Sequence, residues 1–173
     1  FKSVLAVGRL THQKGFDLLI ESWAEVCKTN NEWVLRIVGS GEDEEKLKKQ
    51  VKKLNIEDNI VFVSATKEVE KYYRTSSFYC LSSRFEGFGL VMTEAQSFSL
   101  PIVAFNCDAG PSDIITNGKN GFLCANGDVK CLTERIIDII DLTDKEYIDF
   151  TINAKKSANR FQVEKILESW NIL

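Results

Sequence analysis

The sequence predicts an α/β domain of Rossmann-like type, a parallel sheet with helices on both faces, on three observations. Short apolar runs of strand type alternate with stretches of helical apolar spacing along nearly the whole chain, the pattern of strands joined by covering helices. A length of 173 residues, 44% hydrophobic and 27% charged, suits one domain with a full-sized core rather than two. No internal repeat and no low-complexity linker interrupts the alternation.

The first strand is SVLAVG, reached almost directly from Phe1. Phe16, Leu19, Ile20, Trp23 and Cys27 follow at helical spacing and predict a helix with one apolar face. WVLRIVG is the second strand, and Leu47, Val51 and Leu54 mark the second helix. That helix carries the run EDEEKLKKQVKK, whose acids precede its bases as the helix macrodipole favours. The run therefore reads as a solvated face rather than a nucleic-acid or membrane surface. IVFVS is the third strand, a short helix falls near EVEKYYR, and FYCLSS is the fourth strand. LVMTEAQSF has helical composition and begins directly after Gly89. PIVAF and GFLC complete the strands, and helix runs from about Val129. In the closing helix the stripe Val163, Ile166, Leu167 and Trp170 reads as a packing surface.

Charge and cysteine usage narrow the class. Twenty-two basic against 25 acidic residues give a net charge of −3, which argues against a nucleic-acid partner; any anion site must be local. The five cysteines lie far apart, form no CxxC pair and are odd in number, the usage of reduced core residues in a cytosolic protein. No segment approaches the roughly 18 apolar residues of a membrane span and no signal peptide is visible, so a cytoplasmic location is expected. The chain begins with Phe1, almost at the start of a strand, and so reads as a piece of a longer polypeptide cut at a domain boundary.

Ligands on such sheets bind outside the carboxyl ends of the strands, so the loops beginning at Gly8, Gly39, Ser64, Ser82 and Phe105 should converge on one crevice. In GRLTHQKGFD, Arg9 offers a planar fork and Lys14 a point charge, a pair suited to a diphosphate. In SRFEGFGLVMTEAQ, Gly87 and Gly89 permit close backbone approach, and the N–H groups near Phe88, Gly89, Leu90 and Val91 open a helix, an arrangement that favours an anion. Glu86 lies in the same loop, within reach of a hydroxylated group beside the phosphate, and Glu94 lies about a turn into the helix, placed to accept from a diol such as ribose. Each feature alone is an ordinary surface feature. Together they ask for diol, diphosphate and polyol in one ligand, and a nucleotide sugar fits.

GRLTHQKG, VGSGEDEEKLK, SSRFEGFGLVMTEAQ, PIVAFNCDAGPSDIITNGKNGFL and the terminal RF…W resemble the C-terminal donor-binding half of retaining glycosyltransferases of GT-B architecture, family 4, the glycosyltransferases group 1. The resemblance runs over nearly the whole chain in order, and the E-x7-E element from Glu86 to Glu94 is its most specific part. It implies one half of a GT-B fold, with residues 1–173 as the nucleotide-sugar-binding domain and an acceptor domain N-terminal to it as partner. It also implies that Arg9 and Lys14 stabilise the diphosphate, that Glu94 binds ribose, and that Glu86 with the amides of Gly87 to Leu90 holds sugar and phosphate. Gly39 in VGSG and Ser64 in FVSAT would border the nucleobase.

The implied activity is retaining transfer of a hexose from a UDP-sugar, with neither metal nor other cofactor, the chain having no Asp-x-Asp triplet. This half alone is expected to be inactive, and any membrane association is expected only through the other half. Two positions depart from the family pattern: Ser64 and Ser99 stand where glycine is usual. CDAGP at Cys107 to Pro111 resembles a variant seen in bacterial surface-polysaccharide enzymes, while His12 reads as a loop residue, not an acid or base. A nucleotide-sugar epimerase or sugar phosphorylase shares the architecture, and a non-catalytic nucleotide-binding module is a further alternative; the GRL…KG and E-x7-E combination favours the transferase.

Overall fold

The computed structural model describes residues 1–87 and 89–161; Phe88 and the stripe from Val163 to Trp170 lie outside the described residues. Among these the strands are β1 (Ser3–Val7), β2 (Val34–Val38), β3 (Ile60–Val63), β4 (Phe78–Leu81), β5 (Ile102–Asn106) and β6 (Gly121–Ala125). All pair in parallel, in the order β3-β2-β1-β4-β5-β6. The helices are α1 (Phe16–Val26), α2 (Glu44–Leu54), α3 (Glu70–Arg74), α4 (Leu90–Ser97), α5 (Pro111–Ile114), α6 (Val129–Ile140) and α7 (Asp144–Ala158). The Rossmann-like expectation is met. None of the helices among the described residues is long and apolar enough to cross a membrane.

The strands are apolar at nearly every position because the sheet is buried on both faces, and the two-residue period assigns neighbours to opposite cores. Val4, Ala6, Leu35, Ile37, Phe78, Cys80, Val103 and Phe105 pack with residues of α1, α2 and α6, including Leu19, Trp23, Val51 and Leu132. On the other face, Leu5, Tyr79, Leu81, Ile102 and Ala104 pack with Tyr73 of α3, Met92 and Ala95 of α4, and Ile114 of α5. Here α7 closes the layer at its edges: the Tyr147 hydroxyl donates to the Ser77 carbonyl at 2.7 Å and Ser157 Oγ donates to the Ile114 carbonyl at 2.9 Å.

Some expectations need correction. The helical stretch from Val129 is two helices, because Thr143 and Glu146 form a capping box that starts α7 anew; the T-x-x-E signature was there to be read. The short α5 was not expected, although Pro111 at its first position is a starting signal. On α2 only Leu47 and Val51 are buried, whereas Leu54 in the last turn is exposed. Glu44 and Glu45 do open α2, and Lys52 and Lys53 close it, as its solvated face requires. All five cysteines are free, but Cys27 and Cys131 are half-buried rather than core residues. Since the Thr143 side chain accepts from the Glu146 amide, Thr143→Ala is expected to lower stability by about 1 kcal/mol, checked by urea denaturation.

Candidate functional site

From β1 the chain winds outward to β2 and β3, and from β4 it winds the other way to β5 and β6. β1 and β4 therefore flank the topological switch point, where loops leave a sheet in opposite directions and open a crevice. They pair only through Val4 with Phe78 and Leu5 with Tyr79, so the ladder ends before the strands do. Beyond it the Tyr79 hydroxyl accepts from the Val7 amide at 3.2 Å and donates to the Val7 carbonyl at 3.1 Å.

The loops above this seam are tied together. The Arg84 amide donates to the Gln13 carbonyl at 2.8 Å, Gln13 Nε2 donates to the Phe85 carbonyl at 3.1 Å, and Ser82 Oγ donates to the Lys14 carbonyl at 2.9 Å. The Arg84 guanidinium forks onto both Asp17 oxygens at 2.8 and 2.7 Å and also donates to the His12 carbonyl at 2.7 Å. From beyond β6, Asn126 Nδ2 donates to the Arg84 carbonyl at 2.7 Å. The Arg84 hydrogen bond, ahead of its charge, holds the Asp17 carboxyl below its ordinary value. Gly15 is required here: its φ is 62°, and a Cβ would run into the Ser82 carbonyl. His12 opens a single 3-10 turn, His12–Lys14, within this loop; it takes part through its backbone and is exposed.

Within this frame Lys14 Nζ lies 2.6 Å from Glu86 Oε1, and Ser83 Oγ donates to the same oxygen at 2.5 Å. The Lys14 and Glu86 side chains are only 16% and 7% exposed, so little water screens the pair. The sequence brings both residues to the crevice but gives no sign that they pair. Cys107, at the start of the CDAGP loop, is buried beside Glu86; burial first and that carboxylate second push its thiol up.

Gly89, with φ 79°, caps α4, whose first turn carries no acid and whose N-cap offers no side-chain acceptor. The Met92 amide donates to the Gly89 carbonyl at 2.9 Å, and among the described residues no side chain caps this helix start, the setting that favours an anion. Gly87 is exposed and a Cβ there would meet nothing within 4 Å, so the fold itself does not demand glycine at that position. Leu90 is exposed and Val91 half-buried. Glu94 is exposed, and its Oε2 accepts from the Tyr73 hydroxyl at 3.1 Å.

Beside the crevice, Val7, Gly8, Arg9, Val38, Gly39, Ser40, Ala65, Thr66 and Val69 line a depression of about 220 Å³ at the carboxyl ends of β1, β2 and β3. Arg9 is thus on the wall of this largely apolar pocket rather than with Lys14 in the ion pair. Gly39 is among the residues that line it. Ser64 is exposed and does not line it, while its neighbours Ala65 and Thr66 do. Residues the sequence did not single out are Asp17, Ser83, Arg84, Asn126 and Tyr73; apart from Ser83, which pairs with Glu86 three residues on, their partners are distant in the chain, and no local motif marks them.

Sheet order, switch-point crevice and uncapped helix start define a Rossmann-like domain with a crevice at the centre of its carboxyl edge. The chain belongs to the glycosyl transferases group 1 family, whose model matches residues 1–157. It is similar to a glycosyltransferase of Haemophilus influenzae, 40% identical over 98% of this chain and 48% of that protein. It is also similar to the amylovoran biosynthesis glycosyltransferase AmsD of Erwinia amylovora, 35% identical over 97% of this chain and 46% of that protein. Among solved structures, Staphylococcus aureus TarM in complex with fondaparinux, α-GlcNAc-glycerol and UDP superposes with a TM-score of 0.91 at 31% identity, covering 98% of this chain and 34% of TarM. The fold is one Rossmann-like half of the GT-B type. The chain spans about half the length of the first two relatives.

Removing Lys14 would leave Glu86, 7% exposed, without its cation, so Lys14→Ala is expected to cost about 2 to 4 kcal/mol in urea denaturation. The double variant Lys14→Ala/Glu86→Ala is expected to recover part of that loss. For the Arg84 clamp, the Asp17 carboxyl has an ordinary value of 3.8 and is lowered on folding. Its stabilisation is therefore complete above that value and is lost as pH falls through the lower folded value. Asp17→Asn is expected to shrink the drop in melting temperature on acidification below about pH 4.

Proposed function

We propose that this domain binds the nucleoside diphosphate of a sugar donor, UDP in particular, for metal-independent hexosyl transfer with retained anomeric configuration in bacterial surface-polysaccharide synthesis. The observation that carries the reading is the meeting, at the switch point, of the Lys14–Glu86 pair with the uncapped start of α4. The presence of UDP in the TarM complex and the amylovoran role in the name of AmsD support the choice of nucleotide and pathway.

As the bond from sugar to phosphate breaks, negative charge builds on the β-phosphate, and stabilising it is the task of this half. Lys14, Arg9 and the amides from Gly87 to Val91 supply positive charge and donors, the part a divalent cation would otherwise play, so no cofactor is needed. Glu94 accepts from the ribose hydroxyls, and the pocket with Val7, Gly39 and Val69 takes the base. Glu86 holds Lys14 and Ser83 on Oε1 and keeps Oε2 for a sugar hydroxyl. The acceptor belongs to an N-terminal domain of a longer, cytoplasmic protein.

Calorimetric titration with UDP, GDP and ADP, each with magnesium or with a chelator, tests this. UDP is expected to bind tightest and equally in both buffers; binding that vanishes with the chelator would sink the metal-free reading. Lys14→Ala, under conditions where it stays folded, is expected to weaken UDP roughly ten- to a hundredfold. Unchanged affinity would remove Lys14 from the diphosphate.

A further inference from the structure

Tyr73 lies near the end of α3 and is 2% exposed, yet its hydroxyl reaches the neighbouring α4 and donates to Glu94 Oε2 at 3.1 Å. Its ring is held from two sides. Phe98 stacks on it at 5.3 Å with the planes 1° apart, and Tyr79 lies at 6.3 Å and 29°. Tyr79 is itself anchored through its hydroxyl to both backbone groups of Val7 at the end of β1. A stack of aromatic rings thus runs from the switch point to the carboxylate of an exposed glutamate.

We infer that Tyr73 is a positioning residue for nucleotide recognition, its hydroxyl fixing the Glu94 carboxylate so that Oε1 is left to accept from the ribose diol. The inference rests on the donor-binding reading and adds the group that sets the geometry of Glu94. An exposed glutamate samples several rotamers, and ordering a long polar side chain on binding costs affinity. A hydrogen bond from a rigid, buried ring makes that ordering before the nucleotide arrives. A phenol suits the task because it donates without bringing a cation that would compete for the carboxylate. Burial first, then Tyr79 and Glu94, push the phenol up, so it keeps its proton at physiological pH.

Tyr73→Phe removes the hydroxyl and leaves both ring contacts, and a double-mutant cycle with Glu94→Ala isolates the coupling. Calorimetry with UDP and with 3′-deoxy-UDP is the measurement, with thermal melting of each variant alongside. Tyr73→Phe is expected to melt near the wild type and to weaken UDP roughly three- to tenfold. Its preference for UDP over 3′-deoxy-UDP is expected to shrink, and in the Glu94→Ala background the substitution is expected to cost nothing further. The inference is overturned by wild-type affinity in Tyr73→Phe, by equal losses for both nucleotides, by the same loss in the Glu94→Ala background, or by a large loss of stability, which would assign the hydroxyl to the core. In each of those cases wild-type UDP binding leaves the donor-binding reading standing. A wild-type chain that binds no nucleoside diphosphate overturns both.

Discussion

At the middle of the sheet two parallel strands stop pairing before they end, and the crevice exists only because the seam is held open and held together at once. The ladder between β1 and β4 covers Val4 and Leu5 alone, while β4 continues along β5 as far as Leu81. Backbone groups freed at the end of β1 need partners in a buried setting, and the Tyr79 hydroxyl satisfies both the amide and the carbonyl of Val7. Above it, the approach of Gly15 to the Ser82 carbonyl and the Arg84 fork on Asp17 set the distance between the loops. Lys14 and Glu86 come from these two loops, so their pairing depends on the seam.

The frame also sets the electrostatics of the site. A bidentate arginine and carboxylate satisfy each other and contribute orientation with little net charge. Lys14 and Glu86 likewise balance, so among the described residues the positive character at the crevice comes from the α4 amides and from Arg9, with the Glu94 carboxylate, held by a neutral donor, on the other side of the balance. On the donor-binding reading, an incoming diphosphate competes with Glu86 for Lys14, and the carboxylate is compensated by Ser83 and by whatever occupies Oε2. A lysine paired in advance is held where it is needed, at the cost of part of its charge. The chain's acidic balance, −3 overall, is compatible with such a site because the interaction is local and poorly screened.

Most of the fold was legible because a sheet buried on both faces forces continuous apolar strands, and helices between them must carry one apolar stripe. What sequence pattern missed were breaks decided by one or two residues. Thr143 with Glu146 restarts a helix that apolar spacing alone would continue, and Pro111 opens a helix too short to show a period. The site was legible at the level of residue type and loop: Arg9, Lys14, Gly39, Glu86, Gly89 and Glu94 all lie at the carboxyl edge. The pairings were not. Lys14 and Glu86 are 72 residues apart, Asp17 and Arg84 are 67 apart, and Tyr73 and Glu94 are 21 apart, so only the sheet order brings them into contact. Ser64 sits in the right loop but is turned out to solvent, a distinction of one residue that loop-level reasoning does not resolve.

Glu86 and Glu94 show how the same side chain acquires different work eight positions apart. Glu86 is nearly enclosed and spends one oxygen on a cation and a hydroxyl, both supplied by the protein. Its substitution alters the loop, the charge available on Lys14 and any contact to a ligand together, effects that are coupled rather than additive. Glu94 is exposed, stands on a helix and, among the described residues, is held at its carboxylate by one neutral donor. Its substitution removes an acceptor and leaves the Tyr73 hydroxyl, not the seam's loops, without that partner. On the donor-binding reading, binding losses at residue 94 therefore report a contact and the Tyr73 hydrogen bond that orients it, whereas losses at residue 86 report the state of the whole seam, because that carboxylate is one of the ties holding the seam's loops to each other.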